Sequence, residues 1–191
     1  MASLYGPIKK VSGCEVIVDS SKEPTHGFVL QAMPEVDLRT VHLVRDSRGV
    51  AHSWQRKKLK PEIHWKKEYI RRYTPARSAF EWNLRNIMAD LLNQFCNRSI
   101  RISYEHLVNN PRATMSRILN ELVNLESDLD FFEGRKVRLD KNHTVSGNPS
   151  RFQTGMVELK ADLEWTRKMN THHRFIVTVL TWPLLLAYGY S

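Results

Sequence analysis

Cysteine is scarce: Cys14 and Cys96 are the only two in 191 residues, too few for a disulfide framework and without metal-ligand spacing. The opening residues, Met1 to Pro7, lack a charged region followed by an apolar core and so do not read as a secretory leader. Long apolar runs are missing too. The nearest, residues 175–190, is broken by Pro183 and falls short of the roughly 20 residues a membrane-spanning helix needs. It reads as a buried terminal helix, and the expected setting is cytoplasmic, with no membrane span. No Walker-type glycine-rich sequence, internal repeat or low-complexity tract occurs. Acidic residues are in deficit: 20 Asp and Glu against 29 Lys and Arg leave a net charge of +9, which calls for an anionic partner. A nucleotide, a sulfated or phosphorylated substrate, a nucleic acid and a membrane surface all meet that description.

What remains has the composition of a folded domain. With 41% hydrophobic and 26% charged residues, the chain is expected to form a single domain over residues 1–191, large enough for a real core. Residues 15–18, Glu-Val-Ile-Val, read as a buried strand, closed by Asp19-Ser20-Ser21-Lys22. A helix is expected from Pro24 until Pro34 stops it, then a second strand at 40–44. Strand, helix and strand within thirty residues predict a parallel βαβ unit. A long helix is expected over 76–96, because Phe80, Leu84, Ile87, Met88, Leu91, Leu92 and Phe95 form a stripe that would face the core. A third strand follows at 100–104 and a helix at 111–123. Residues 128–142 have no clear period and read as loop, and two helices, 159–169 and 173–187, end the chain. The fold class is α/β.

The segment Val41-His42-Leu43-Val44-Arg45-Asp46-Ser47-Arg48-Gly49-Val50-Ala51-His52-Ser53 holds the rest together. It reads as a strand that ends on an arginine, turns through Asp46-Ser47 and enters a helix carrying Ser53. A guanidinium and a hydroxyl at a strand-to-helix turn suit a phosphate, since ligands of open α/β sheets bind beyond the carboxyl ends of strands. The plain alternative is a salt-bridged Arg45 and an ordinary helical Ser53. Downstream, residues 56–72 carry eight Lys or Arg against two Glu, six of the nine excess positive charges, interleaved with Trp65 and Tyr69. That segment suits an acceptor or a nucleic acid, or is a solvated connection. The turn-rich loop 143–152 sets Arg151 among small residues.

Four stretches, taken in order, resemble the sulfotransferases that use 3′-phosphoadenosine 5′-phosphosulfate, especially the carbohydrate and bacterial branches. They are Val16-Ile17-Val18-Asp19-Ser20-Ser21-Lys22, Leu43 to Ser53, Tyr104-Glu105-His106-Leu107-Val108-Asn109-Asn110-Pro111 and Gly147-Asn148-Pro149-Ser150-Arg151-Phe152. The ending Trp182-Pro183-Leu184-Leu185 with Tyr188-Gly189-Tyr190 is similar too. The resemblance implies a P-loop-like three-layer fold, with a short parallel sheet between helices. It implies that Arg45 and Ser53 hold the donor's 3′-phosphate, that Tyr104 lies near the adenine and that Arg151 closes over the same phosphate. His106 stands where the family often has aspartate. Lys22, at the end of the expected first strand, would neutralise the transferring group, and the base for the acceptor hydroxyl would be Glu23, Asp19 or His26.

In that family the first strand leads into a glycine- and serine-rich loop around the 5′-phosphosulfate, and no such sequence precedes Val16. The expectation is therefore a C-terminal portion of a longer enzyme, or a diverged product that keeps one half of the donor site. Transfer to a hydroxyl of a carbohydrate or small metabolite, without a metal, is the function implied. A non-catalytic nucleotide-binding or interaction domain is the second reading, and a nucleic-acid-binding module the third.

Overall fold

The computed structural model describes residues 2–60, 63, 65–140 and 153–190. It is an α/β molecule built on a two-stranded parallel sheet, β1 (Arg39–Val44) beside β2 (Arg98–Ser103). The register runs from Arg39 opposite Arg98 to Val44 opposite Ser103. Parallel neighbours need a crossover. It is supplied by α3 (Ser47–Gln55) and α4 (Pro75–Asn93). Each helix begins at a chemically marked point. Asp46 accepts from the Arg48 N–H at 2.8 Å to cap α3, and Thr74 accepts from the Arg77 N–H at 3.3 Å just before Pro75 opens α4.

Helices cover both faces of the sheet. On one face Ile100 and Ile102 pack on Leu107, Ile118, Leu122 and Val123. These belong to α5 (Tyr104–Asn109), α6 (Pro111–Ile118) and the π turn Leu119–Val123 that prolongs α6. On the other face Val44 meets Trp82 of α4 and Leu185 of α8 (Thr171–Ala187), and His42 is held between Asn86 at 2.9 Å and Asp90 at 3.3 Å. The C-terminal tyrosines fasten this layer: Tyr188 donates to Asp90, and Tyr190 donates to Glu105, each at 2.6 Å.

Several expectations need correcting. Residues 15–18 do not form a strand; Val16 is 52% and Val18 89% exposed, and Asp19 instead closes a local turn by accepting from the Ser21 N–H at 2.7 Å. β1 pairs with β2 and leaves that apolar run unpaired, so the parallel unit spans β1 to β2 rather than residues 15–44. The chain opens instead with α1 (Ala2–Ser12), followed by α2 (Pro24–Gln31) as expected. Residues 128–142 are not a plain loop. They contain β3 (Phe132–Glu133) and β4 (Lys136–Leu139), and β4 is joined antiparallel by β5 (Gly155–Glu158). Gly134, at φ +59, makes the β3 to β4 turn affordable for the backbone. The helix expected over 159–169 is reduced to α7 (Trp165–Lys168), and the preceding residues stay irregular.

The long helix has its buried face elsewhere than its apolar stripe predicted. Phe80, Leu84, Ile87, Leu91 and Phe95 are exposed, whereas Ser78, Ala79, Trp82, Asn86 and Leu92 are buried. Small residues let α4 approach α3 and α8 closely, with Trp82 as the one large wedge; its indole N–H donates to the Arg45 carbonyl at 3.0 Å.

Candidate functional site

The candidate site lies at the carboxyl ends of the two parallel strands. Arg45 follows β1 directly, and Tyr104 follows β2 directly as the first residue of α5. The parallel register therefore sets the two side by side, with the Arg45 guanidinium 4.7 Å from the centre of the Tyr104 ring. Ser53 sits in the last turn of α3, eight residues after Arg45. Gly49 lies midway between them. A Cβ there would come within 3.2 Å of Arg45 Nε and 3.1 Å of Trp165 Cδ1, so the absence of a side chain leaves room for the guanidinium between helix and indole. Sequence reasoning missed this glycine, although its four-residue spacing from both Arg45 and Ser53 was there to read.

The start of α3 is capped by its own acidic residue. The Arg48 N–H donates to the Asp46 carboxylate, which also accepts from Arg48 Nε at 2.9 Å and Nη2 at 2.6 Å, and this buried pair lies beside Trp165, over which Arg48 stacks at 4.8 Å. The cations are gathered farther along. Lys58 Nζ donates to Ser53 Oγ at 3.0 Å. Arg56 donates to Asp162 at 2.9 Å and to Glu164 at 2.7 Å. Arg45 donates to the Asp162 carbonyl at 2.8 Å and lies 3.3 Å from its carboxylate, while the Asp162 N–H donates to the Tyr104 hydroxyl at 3.3 Å.

The electrostatics follow from that crowding. Burial, then the positive charges of Arg56 and Arg45, push the Lys58 ammonium below the usual lysine range, with only partial relief from Asp162. Burial and Arg56 likewise lower His52, one turn earlier on α3. Burial raises the Asp162 carboxyl, but the Glu164 N–H and the Arg45 guanidinium outweigh it, so the group ends below the ordinary carboxylate range. Two guanidiniums, an ammonium, a hydroxyl and an aromatic face, set beside the carboxylates of Asp162 and Glu164, are chemically equipped to hold a phosphate next to a planar ring.

The other predicted residues fall apart from this group. Lys22 is exposed, at φ +67 in the irregular stretch before α2. Glu23 pairs with Arg85 of α4 at 2.6 Å. Asp19 bonds with Tyr5, Ser21 and His26, the last at 3.1 Å. Burial would raise the Asp19 carboxyl, but the Ser21 hydroxyl, the Tyr5 hydroxyl, the Ser21 N–H and His26 bring it down to about 2. Arg151 and the rest of the 143–152 loop lie outside the described residues. The basic segment after α3 is folded partly on itself: Leu59 bridges Tyr69, Lys57 stacks on Tyr69 at 4.0 Å, and Lys66 pairs with Glu68 at 2.9 Å.

A separate polar hollow lined by Ser116, Asn120, Leu125, Glu126, Ser127 and Asp128 carries two carboxylates and no cation, the wrong sign for a phosphate. Among the described residues no group of His, Cys, Asp and Glu is placed to hold a metal ion, and no helix is long and apolar enough to cross a membrane.

No curated protein and no solved structure matches this sequence. A model of the sulfotransferase family matches residues 11–126, more than half of the chain, and includes Lys22, Arg45, Ser53 and Tyr104. The chain belongs to the sulfotransferase family.

Proposed function

We propose that the chain binds the nucleotide end of 3′-phosphoadenosine 5′-phosphosulfate and serves transfer of its sulfuryl group to a hydroxyl acceptor, a carbohydrate or small metabolite. The observation that supports this reading is the stacking of Arg45 on Tyr104 at the ends of β1 and β2, with Ser53 eight residues on in the last turn of α3, all within the residues that match the family. A 3′-phosphate at Arg45 and Ser53 would place the adenine near the Tyr104 ring, and Arg151 would approach from its loop. In the transfer itself the acceptor oxygen attacks sulfur in line, the bond from sulfur to the 5′-phosphate oxygen breaks, and adenosine 3′,5′-bisphosphate leaves. The acceptor proton passes to a base. Of the three candidates, Asp19 is a weak base with its carboxyl near 2, and Glu23 is engaged by Arg85, while His26 is oriented by Asp19. Lys22 is the candidate to neutralise charge on the transferring group. No metal is assigned to this chemistry.

The test is a transfer assay with radiolabelled sulfate donor and a panel of hydroxyl acceptors, run beside a binding titration with adenosine 3′,5′-bisphosphate. Label transfer together with bisphosphate binding supports the enzyme. Binding without transfer identifies a nucleotide-binding domain of the same descent. Absence of binding rejects the donor site, and salt-sensitive binding to generic DNA that ignores Arg45→Ala would favour the basic segment as a nucleic-acid surface.

A further inference from the structure

Asp162 occupies the centre of the cationic group. Its carboxylate receives Arg56 at 2.9 Å and stands 3.3 Å from Arg45, its carbonyl receives Arg45 at 2.8 Å, and its own N–H is spent on Tyr104. It comes from the irregular stretch between β5 and α7, where no ladder or helix fixes the backbone. Glu164, two residues on, shares Arg56 at 2.7 Å. Glu164 also pairs with Lys168 at 3.3 Å, so four cations stand against two carboxylates, and both carboxylates are carried by the same short segment. Lys58 is the member left over: its ammonium is held at Ser53 Oγ and forms no ion pair among the described residues.

We infer that the Asp162 carboxylate stands in for a ligand phosphate, and that Lys58 is a further binding residue of this site, recruited with Ser53 when a phosphomonoester dianion displaces Asp162 from Arg45 and Arg56. The inference rests on the donor reading above and deepens it. A dianion replaces one carboxylate and brings a second negative charge, which is the charge that Lys58 lacks a partner for. A ribose-linked phosphate also presents three acceptor oxygens, enough for the two guanidiniums and for the Lys58 and Ser53 pair together. Displacement frees the Tyr104 hydroxyl from the Asp162 N–H, so the aromatic face and the phosphate cradle open in one movement of the 159–164 segment.

The experiment is calorimetric titration of the full chain, Asp162→Asn and Lys58→Met with adenosine 3′,5′-bisphosphate and, separately, with adenosine 5′-phosphate. Removing the competing carboxylate is expected to tighten bisphosphate binding by about fivefold or more, and Lys58→Met to weaken it by about tenfold, the scale of a charged hydrogen bond. Adenosine 5′-phosphate, which lacks the 3′-phosphate, should respond little to Lys58→Met. A full chain that fails to bind while Asp162→Asn binds also supports the inference. Bisphosphate binding that Arg45→Ala weakens, but that Asp162→Asn fails to tighten and Lys58→Met leaves unchanged, overturns it and leaves the donor reading standing. Failure of every variant and of the full chain to bind overturns both. Lys58→Met alters a partly exposed loop side chain, so its result stands even if Asp162→Asn folds poorly.

Discussion

The Arg45 guanidinium lies 4.7 Å over the Tyr104 ring because each residue ends one of two adjacent parallel strands, where the register brings Val44 opposite Ser103. A cation stacked on a ring is attracted to its face and fixed in direction, and this one also donates to the Asp162 carbonyl at 2.8 Å. Tyr104→Ala is therefore expected to weaken bisphosphate binding by about 0.5–2 kcal/mol. Tyr104→Phe keeps the ring, loses the hydroxyl that accepts from the Asp162 N–H, and should bind at least as tightly as the parent chain. Calorimetry on both variants checks the pair, and equal losses would separate the ring from any role in binding.

Gly49→Ala makes a sharper geometric demand. A helix interior gains about 0.8–1 kcal/mol from that change on propensity alone. Here the new methyl group meets Trp165, which is buried against Ala51, Met169 and Val177, and Arg45, which is only partly buried. Arg45 is the neighbour able to yield. Stability should then change by less than about 1 kcal/mol, while bisphosphate affinity falls by about 0.5–1.5 kcal/mol as the guanidinium is moved off its position. Urea unfolding alongside calorimetry reads the two effects separately.

The face that α4 buries can be tested by stability alone. Trp82 is 4% exposed and wedged between Val44 and Leu185, so Trp82→Ala is expected to cost about 3–5 kcal/mol. Ile87, 53% exposed on the outward stripe, should tolerate serine within about 0.5 kcal/mol. Denaturant midpoints distinguish them. A large loss at Ile87 would return the apolar stripe to the core.

Asp19 gives a pH dependence with a definite sign. Its carboxyl sits at about 2 in the folded chain, against about 3.9 for an unperturbed aspartate. The stabilisation is complete above about pH 4 and is lost as pH falls through about 2, because the unfolded state binds the proton first. At neutral pH Asp19→Asn should cost about 1 kcal/mol after allowance for solvent screening. The difference from the parent chain should close toward pH 2 in urea titrations, and a gap that stays constant with pH would contradict the assignment.

The parts of the site that the sequence announces are those encoded locally. Arg45, the Asp46 cap and Ser53 lie on one strand, turn and helix that the local pattern marks, whereas Tyr104 is singled out by the family resemblance and opens α5 rather than ending the strand expected at 100–104. Asp162 could not be found this way. It meets Arg45 across 117 positions through an irregular segment, and no periodicity marks such a contact in advance. The same limit explains the strand expected at 15–18. Its β-branched residues suit a sheet, but a strand is completed by a neighbour, and β1 takes β2 as its partner. On α4, apolar periodicity marked a face correctly and assigned it to the wrong side, because Ser78 and Ala79 permit a closer helix approach than the large residues would.

The central claim is that the Arg45 cradle holds the 3′-phosphate of a sulfate donor. It is tested most directly by calorimetric titration of adenosine 3′,5′-bisphosphate into the parent chain and Arg45→Ala. The account predicts saturable binding to the parent and a loss of about 1.5–3 kcal/mol, the worth of a charged hydrogen bond, in the variant. Equal affinity for the two chains, with Arg45→Ala still folded, would contradict it.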